Sequence, residues 1–301
     1  MKCADAHGQT KSTVSADMIV LHTPNEMRKW SQSRAAENAS VGFVPTMGAL
    51  HDGHMQLLAL SQSDNECTVL SIFVNPMQFN NPSDFDKYPR TFDSDLSLAE
   101  AARVDVVYAP TALIMYPNGF DTSIDPGPIS RSMEGEFRPG HFEGVSTVVV
   151  KLLNAVQPNR LYLGQKDYQQ LAVLRHVVAD LDVAVEVVGA PTVRDTDGLA
   201  LSSRNVRLTA QHRKTAPIIY EALSTAHNAF HNGERSATAI RTAVLEVLST
   251  EPECHVEYVS VVDSVNLSPI EELMTPCVIC VAVQFGDVRL IDNIQLDEHT
   301  R

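Results

Sequence analysis

Positive charge is what this 301-residue chain is short of: 23 lysines and arginines stand against 37 aspartates and glutamates, a formal net charge of −14. A broad electrostatic hold on nucleic-acid phosphates is thereby excluded, and any bound anion must be gripped by a local cluster. Long hydrophobic runs are missing too. No apolar stretch approaches the roughly 18 residues that crossing a bilayer requires, so neither a transmembrane helix nor a membrane partner is expected. The first 17 residues, MKCADAHGQTKSTVSAD, have no apolar h-region and read as a disordered tail, not a secretory signal. Cysteine is sparse, odd in number and scattered (3, 67, 254, 277 and 280), which fits a reduced cytoplasmic chain better than a disulfide framework. Cys277 and Cys280 form a lone CxxC inside CVICVAVQF, which reads as a buried strand. With no second CxxC or CxxH nearby, zinc or redox use is the lesser reading.

What is present is an ordinary globular composition, 44% hydrophobic and 20% charged, which excludes disorder as the main state. At about 150 residues per domain the length suggests two domains or one large one. Compact apolar runs at 41–46, 68–75, 104–110, 160–164 and 183–189 read as strands. Helix-like segments stand among them: the stretch beginning at Met55, then 93–103, 146–157 and 168–181. Continuous apolar strands separated by helices require a sheet covered on both faces, so residues 18–190 are expected to form a doubly wound parallel α/β domain. Val145 and Val148 to Val150 favour a strand by propensity, but the run continues into KLLNAV and is assigned to a helix. Beyond it, helices at about 209–231 and 236–249 precede strand-like HVEYVSVVD, CVICVAVQF and VRLID, which suggests a smaller α+β domain over 191–301.

Chemistry concentrates in a few segments. PTMGALHDGH, Pro45 to His54, lies where the first strand hands over to a helix, an address at which unpaired N–H groups and the dipole favour an anion. His51 and His54 are spaced to share one face of a first helical turn, and Gly48 and Gly53 permit close approach of a nucleotide. A surface HxxH and a metal-ligand pair remain alternatives, though no third ligand stands at a telling spacing. GQKDYQQL repeats the strand-to-helix setting, with Lys166 as a point charge and Gln170 one turn further on; a plain surface loop is the bland alternative. In DGLALSSRN, Ser202, Ser203 and Arg204 form a compact anion clamp at the domain junction, or else a serine-rich linker. Asn75 and Gln78 in FVNPMQF suit hydroxyl and carboxylate recognition. Tyr88, Arg90 and Asp95 follow on a proline-punctuated loop, and Arg138 and His141 flank a turn in FRPGHFEGV.

Together, PTMGALHDGH, FVNPMQF, YPRT, RPGHFEGV, GQKDYQQLAVLR and DGLALSSRN resemble the pantothenate synthetase (pantoate–β-alanine ligase) family in order and approximate spacing, from about residue 18 to the C-terminus. HDGH is similar to the HIGH-type element of the nucleotidyltransferases, and LSSRN stands where their second phosphate-binding element lies. The resemblance implies a Rossmann-like ATP-dependent ligase of the coenzyme A pathway. In it (R)-pantoate is adenylated with release of pyrophosphate, and β-alanine then displaces AMP. It further implies that His51 and His54 contact ATP phosphates, with His54 protonating the departing pyrophosphate, and that Lys166, Ser202, Ser203 and Arg204 offset the growing charge. Met47, Gly48, Ala49, Leu50, Asp52, Gly53, Gly164, Gln165, Asp167, Val193 and Leu201 complete the nucleotide site. Gln78, Gln170, Asn75 and Arg138 receive the substrates. Mg²⁺ accompanies ATP with Asp95 as its protein contact, and the enzyme is a homodimer.

Two departures bear on these roles: Gln165 stands in place of a glutamate in GEKD, and Ser94 in place of a second acidic residue beside Asp95. Rival readings are a phosphopantetheine adenylyltransferase, an aminoacyl-tRNA synthetase and a silent nucleotide-binding module. The chain's length, its acidic balance and the intact His54, Lys166 and Arg204 weigh against them respectively.

Overall fold

Six short runs pair side by side in one sheet, the inner four buried on both faces and the two edge strands partly exposed. In this computed structural model, which describes residues 18–274 and 276–297, they are β1 (Ile19–Leu21), β2 (Val41–Thr46), β3 (Cys67–Ile72), β4 (Val106–Tyr108), β5 (Arg160–Gly164) and β6 (Glu186–Ala190). The tail expected over 1–17 lies outside the described residues. All six strands are parallel, in the order β1-β4-β3-β2-β5-β6. The pleat sends Phe43, Val69 and Leu161 to one face and Val44, Leu70 and Tyr162 to the other. The strand order reverses between β2 and β5, so their connections leave in opposite directions and open a crevice beyond the carboxyl ends.

The helix His141–Val156 confirms the assignment made against β propensity. It is buried along most of its length, and Val145, Val148, Val149 and Leu152 pack on the Phe43 face of the sheet. A valine-rich run stays helical there because its neighbours bury it all round. The strand β1 and the helix Pro24–Ala36 are not among the elements anticipated from sequence. The helix begins in a capping box in which Thr23 and Glu26 satisfy each other's backbone N–H groups, with Pro24 opening the first turn.

Further along, the single helix expected over about 209–231 is two, Ala210–Thr215 and Ile218–His231, parted at Pro217. With the helix Ala237–Leu248 they cover an antiparallel sheet of β7 (Cys254–Asp263), β8 (Cys277–Phe285) and β9 (Val288–Leu296). Cys277, Ile279, Val281 and Val283 face those helices, while Val278 and Cys280 pack on Met133, Tyr168 and Ala172. The two CxxC thiols therefore occupy opposite faces of a strand and cannot grip one ion. Burial pushes their pKa values up, to about 11 and about 12.

Candidate active site

Four neighbouring strands, β3, β2, β5 and β6, end at the same rim, and the chain beyond each supplies one wall of a cavity of about 220 Å³. Met47, His51, Gly53 and His54 come from the loop and helix after β2, and Asn75 and Gln78 from the turn after β3. Gly164 ends β5 and Lys166, Asp167 and Gln170 follow it, and Val193, Leu201, Ser202, Ser203 and Arg204 lie beyond β6. Arg138 closes the cavity from the segment before the buried helix. The residues predicted from sequence thus largely converge on one space. Gly48, Ala49, Leu50, Asp52 and Gln165 lie outside its lining. The cavity also takes in Thr46, Phe73, Tyr88, His141 and Tyr162. Of these, Tyr88 and His141 sit in motifs that the sequence flags only weakly.

The histidines are held by the backbone. Helix Asp52–Asp64 starts at His51, whose Nδ1 accepts the Gly53 N–H (3.2 Å), while His54 Nδ1 accepts the His51 N–H (3.2 Å). Each Nδ1 is an acceptor, so each neutral ring carries its proton on Nε2. The rings stand 4.1 Å apart. Burial, aided by the neighbouring His51, drives the His54 pKa down to about 3; burial and then Lys166 lower that of His51. With its ring neutral, His54 offers the cavity a hydrogen bond through Nε2–H.

Asp95 stands outside the cavity lining. Only 2% exposed, it turns its carboxylate onto the loop ahead of the histidines. Its Oδ2 accepts the Ala49 N–H (3.0 Å) and the Thr91 hydroxyl (3.2 Å), and its Oδ1 accepts the Leu50 N–H (2.8 Å). Both oxygens are engaged with the protein, which makes Asp95 an anchor of this loop. No group of three metal-ligating side chains exists among the described residues. The loop needs an anchor because Gly48 and Ala49 both lie at positive φ, +81° and +50°. A Cβ on Gly48 would stand 2.8 Å from Asp95 Oδ2.

Asn75 is also a scaffold. Its Nδ2 donates to Gln78 Oε1 (3.0 Å) and to the Gly144 carbonyl (3.1 Å), while its Oδ1 accepts from Tyr116 (2.7 Å) and from the Met77 N–H (3.2 Å). It presents Gln78 to the cavity. Gly144 is obligatory here, since a Cβ would run into the Met77 carbonyl oxygen.

Cationic groups gather despite the acidic composition. Arg204 pairs with Asp84 (2.9 Å), which also accepts from Arg207 (2.8 Å). Burial opposes the Arg204 charge, but Asp84 outweighs it and raises the pKa above the usual arginine value. Tyr88 lies under Arg204 and touches the Ser203 hydroxyl at 3.2 Å. Lys166 Nζ lies 3.4 Å from Asp167 Oδ1. Arg138 borders buried Glu134 at 3.5 Å, and Glu134 takes both arms of Arg289 from β9 at 2.7 Å and the Tyr258 hydroxyl at 2.8 Å. Burial favours the neutral acid, yet these partners bring the Glu134 pKa down to about 2. His141 donates Nδ1–H to the Gln78 carbonyl (2.8 Å), and burial, then Arg138, depress its pKa to about 3. This arrangement can hold a polyphosphate by hydrogen-bond donors and cations while amides and Arg138 receive smaller polar substrates.

Comparisons with known proteins agree with that chemistry. A sequence profile described as Pantoate-beta-alanine ligase matches residues 19–295. A pantothenate synthetase of Heliobacterium modesticaldum is 45% identical over 280 residues, covering 93% of this chain and 100% of the relative. The crystal structure of pantothenate synthetase from Thermus thermophilus superposes with a TM-score of 0.87 at 44% identity, covering 93% of this chain and 99% of that one. A pantoate-beta-alanine ligase from Francisella tularensis, crystallised with beta-gamma ATP and beta-alanine, gives 0.77 at 35% identity, covering 92% and 97%.

Proposed function

The chain belongs to the pantoate–β-alanine ligase family, and on that premise we propose how its residues carry the reaction. The enzyme joins pantoate to β-alanine in an ATP-dependent condensation. A carboxylate repels nucleophiles and has no leaving group, so it must be activated; in our reading pantoate attacks the α-phosphorus of ATP, pyrophosphate leaves, and the amine of β-alanine then displaces AMP from pantoyl adenylate.

The observation that carries this reading is the convergence of donors from four strand ends on one cavity. His51 and His54 donate Nε2–H to phosphate oxygens, while Lys166, Arg204, Ser202 and Ser203 stabilise charge that builds on the departing pyrophosphate. Met47, Gly164, Asp167 and Val193 frame the nucleoside. Gln78 and Gln170 hold pantoate, and β-alanine enters beside Gln78 with its carboxylate toward Arg138. No side chain need act as nucleophile, so catalysis consists of orientation and electrostatics. Mg²⁺ accompanies the phosphates of ATP, and we assign it no further chemical step. The homodimer, the cytoplasmic setting and the division into units 18–190 and 191–301 belong to the same proposal, and sedimentation measures the first.

The test is pyrophosphate release from ATP with pantoate present and β-alanine absent. Release above a pantoate-free control is expected, and AMP and pantothenate should form one to one once β-alanine is added. Absence of release from folded protein, or turnover to ADP, overturns the adenylate route.

A further inference from the structure

The turn that carries Lys166 follows β5, but much of what fixes it comes from the other sheet. Asn293 lies on β9, 6% exposed, and its side-chain amide donates to two consecutive carbonyls, those of Gln165 and Lys166, each at 2.9 Å. The carboxylate before it, Asp292, is 4% exposed and grips Arg194 with both oxygens, at 2.5 and 2.9 Å. Arg194 stacks over Tyr220 and donates to the Gly198 carbonyl, so it braces the hairpin bearing Val193 and Leu201. One dipeptide of the C-terminal sheet therefore secures two walls of the nucleotide cavity that sit on different segments of chain.

We infer that Asn293 is a positioning residue for Lys166: its paired hydrogen bonds to the carbonyls of Gln165 and Lys166 set where the ammonium meets the transferring phosphates. The inference rests on the role given to Lys166 above. The turn at 165–167 is a single 3₁₀ turn that runs directly into the helix Tyr168–Asp180, and the two external bonds tie its carbonyls to β9. An amide is needed because both acceptors are carbonyls. A carboxylate there would face two oxygens, and an alanine would leave both without this donor. Because the contact reaches the backbone, it tolerates the glutamine found at 165, whose side chain takes no part in it.

The experiment is a double-mutant cycle on pantoate-dependent pyrophosphate release at saturating ATP, using Asn293→Ala, Lys166→Ala and the double variant. A misplaced cation costs rate and not merely affinity, so Asn293→Ala should lower kcat roughly 10- to 100-fold. The KM for β-alanine should stay unchanged. In the Lys166→Ala background the same substitution should change the rate less than about 2-fold, because the group it positions is gone. A purely structural role would multiply through both backgrounds. Full multiplicativity, or an Asn293→Ala enzyme at wild-type rate, overturns the inference. A Lys166→Ala enzyme at wild-type rate instead overturns the role of Lys166, and the inference falls with it. Asn293→Asp, similar in shape, supplies the same reading if the alanine variant fails to fold, and its rate loss should be at least as large.

Discussion

Replacing Asp95 by asparagine separates a loop anchor from a metal ligand. The carboxylate accepts two backbone N–H groups at 3.0 and 2.8 Å and one hydroxyl at 3.2 Å, all away from bulk water. An asparagine keeps one accepting oxygen and turns an NH₂ toward the other N–H, so one charge-assisted bond becomes a donor facing a donor. Such a bond is worth about 1.5–3 kcal/mol, and a buried unsatisfied N–H adds about 1–3 kcal/mol. With partial relaxation, Asp95→Asn should lose roughly 2–4 kcal/mol of unfolding free energy, within the 5–15 kcal/mol available to a typical domain. The loop it frees carries positive φ at Gly48 and Ala49 and leads into His51, so the rate should fall as well. Urea unfolding measures the first effect, and pyrophosphate release across a Mg²⁺ titration measures the second. The anchor reading requires a lower midpoint in urea with the Mg²⁺ requirement unchanged. A variant of wild-type stability whose half-saturating Mg²⁺ rises several-fold would refute it.

Lys166→Ala should lower the rate of pantoate-dependent pyrophosphate release about 10²-fold or more, since a positioned charge on a departing phosphate contributes several kcal/mol. Glu134→Gln leaves Arg289 and Arg138 without their buried carboxylate and should cost about 3–5 kcal/mol in denaturant unfolding; an unchanged midpoint would discount the network. His141 titrates at about 3 in the folded protein and near 6.5 unfolded. The folded state therefore binds fewer protons between those values. Stability from this group is complete above about pH 6.5 and falls, as pH drops toward 3, by roughly 1.4 kcal/mol per unit. Between about pH 6.5 and 5 the wild type should lose about 2 kcal/mol more than His141→Gln, as read by urea unfolding at each pH.

Five of the six parallel strands were legible because they are continuous apolar runs, whereas β1, three residues long, was not; the buried helix His141–Val156 was legible because its run outlasts any strand. Thr23, Pro24 and Glu26 announce a helix start, yet the helix they open carries so weak an apolar stripe that periodicity passes over it. The break at Pro217 was marked by the proline itself. Motif order picked out most of the cavity lining, because chemistry at strand ends restricts residue type. It could not separate groups that touch ligand from groups that hold the wall. Asp95 and Asn75 carry the right atoms in the right segments, but those atoms are engaged with backbone and side chains of the protein itself, and only the fold determines that direction. Asn293 and Asp84 escaped because their partners lie over a hundred residues away in sequence.

The backbone's grip on the two imidazoles has a bearing on cellular metals. A transition-metal ion binding at Nε2 would need that nitrogen's lone pair, which moves the ring proton to Nδ1, where it meets an N–H already pointing in. Capture of zinc or nickel by this HxxH therefore demands that the helix give up its own start. The enzyme should keep working in stray divalent ions that poison less firmly tautomer-locked histidine pairs.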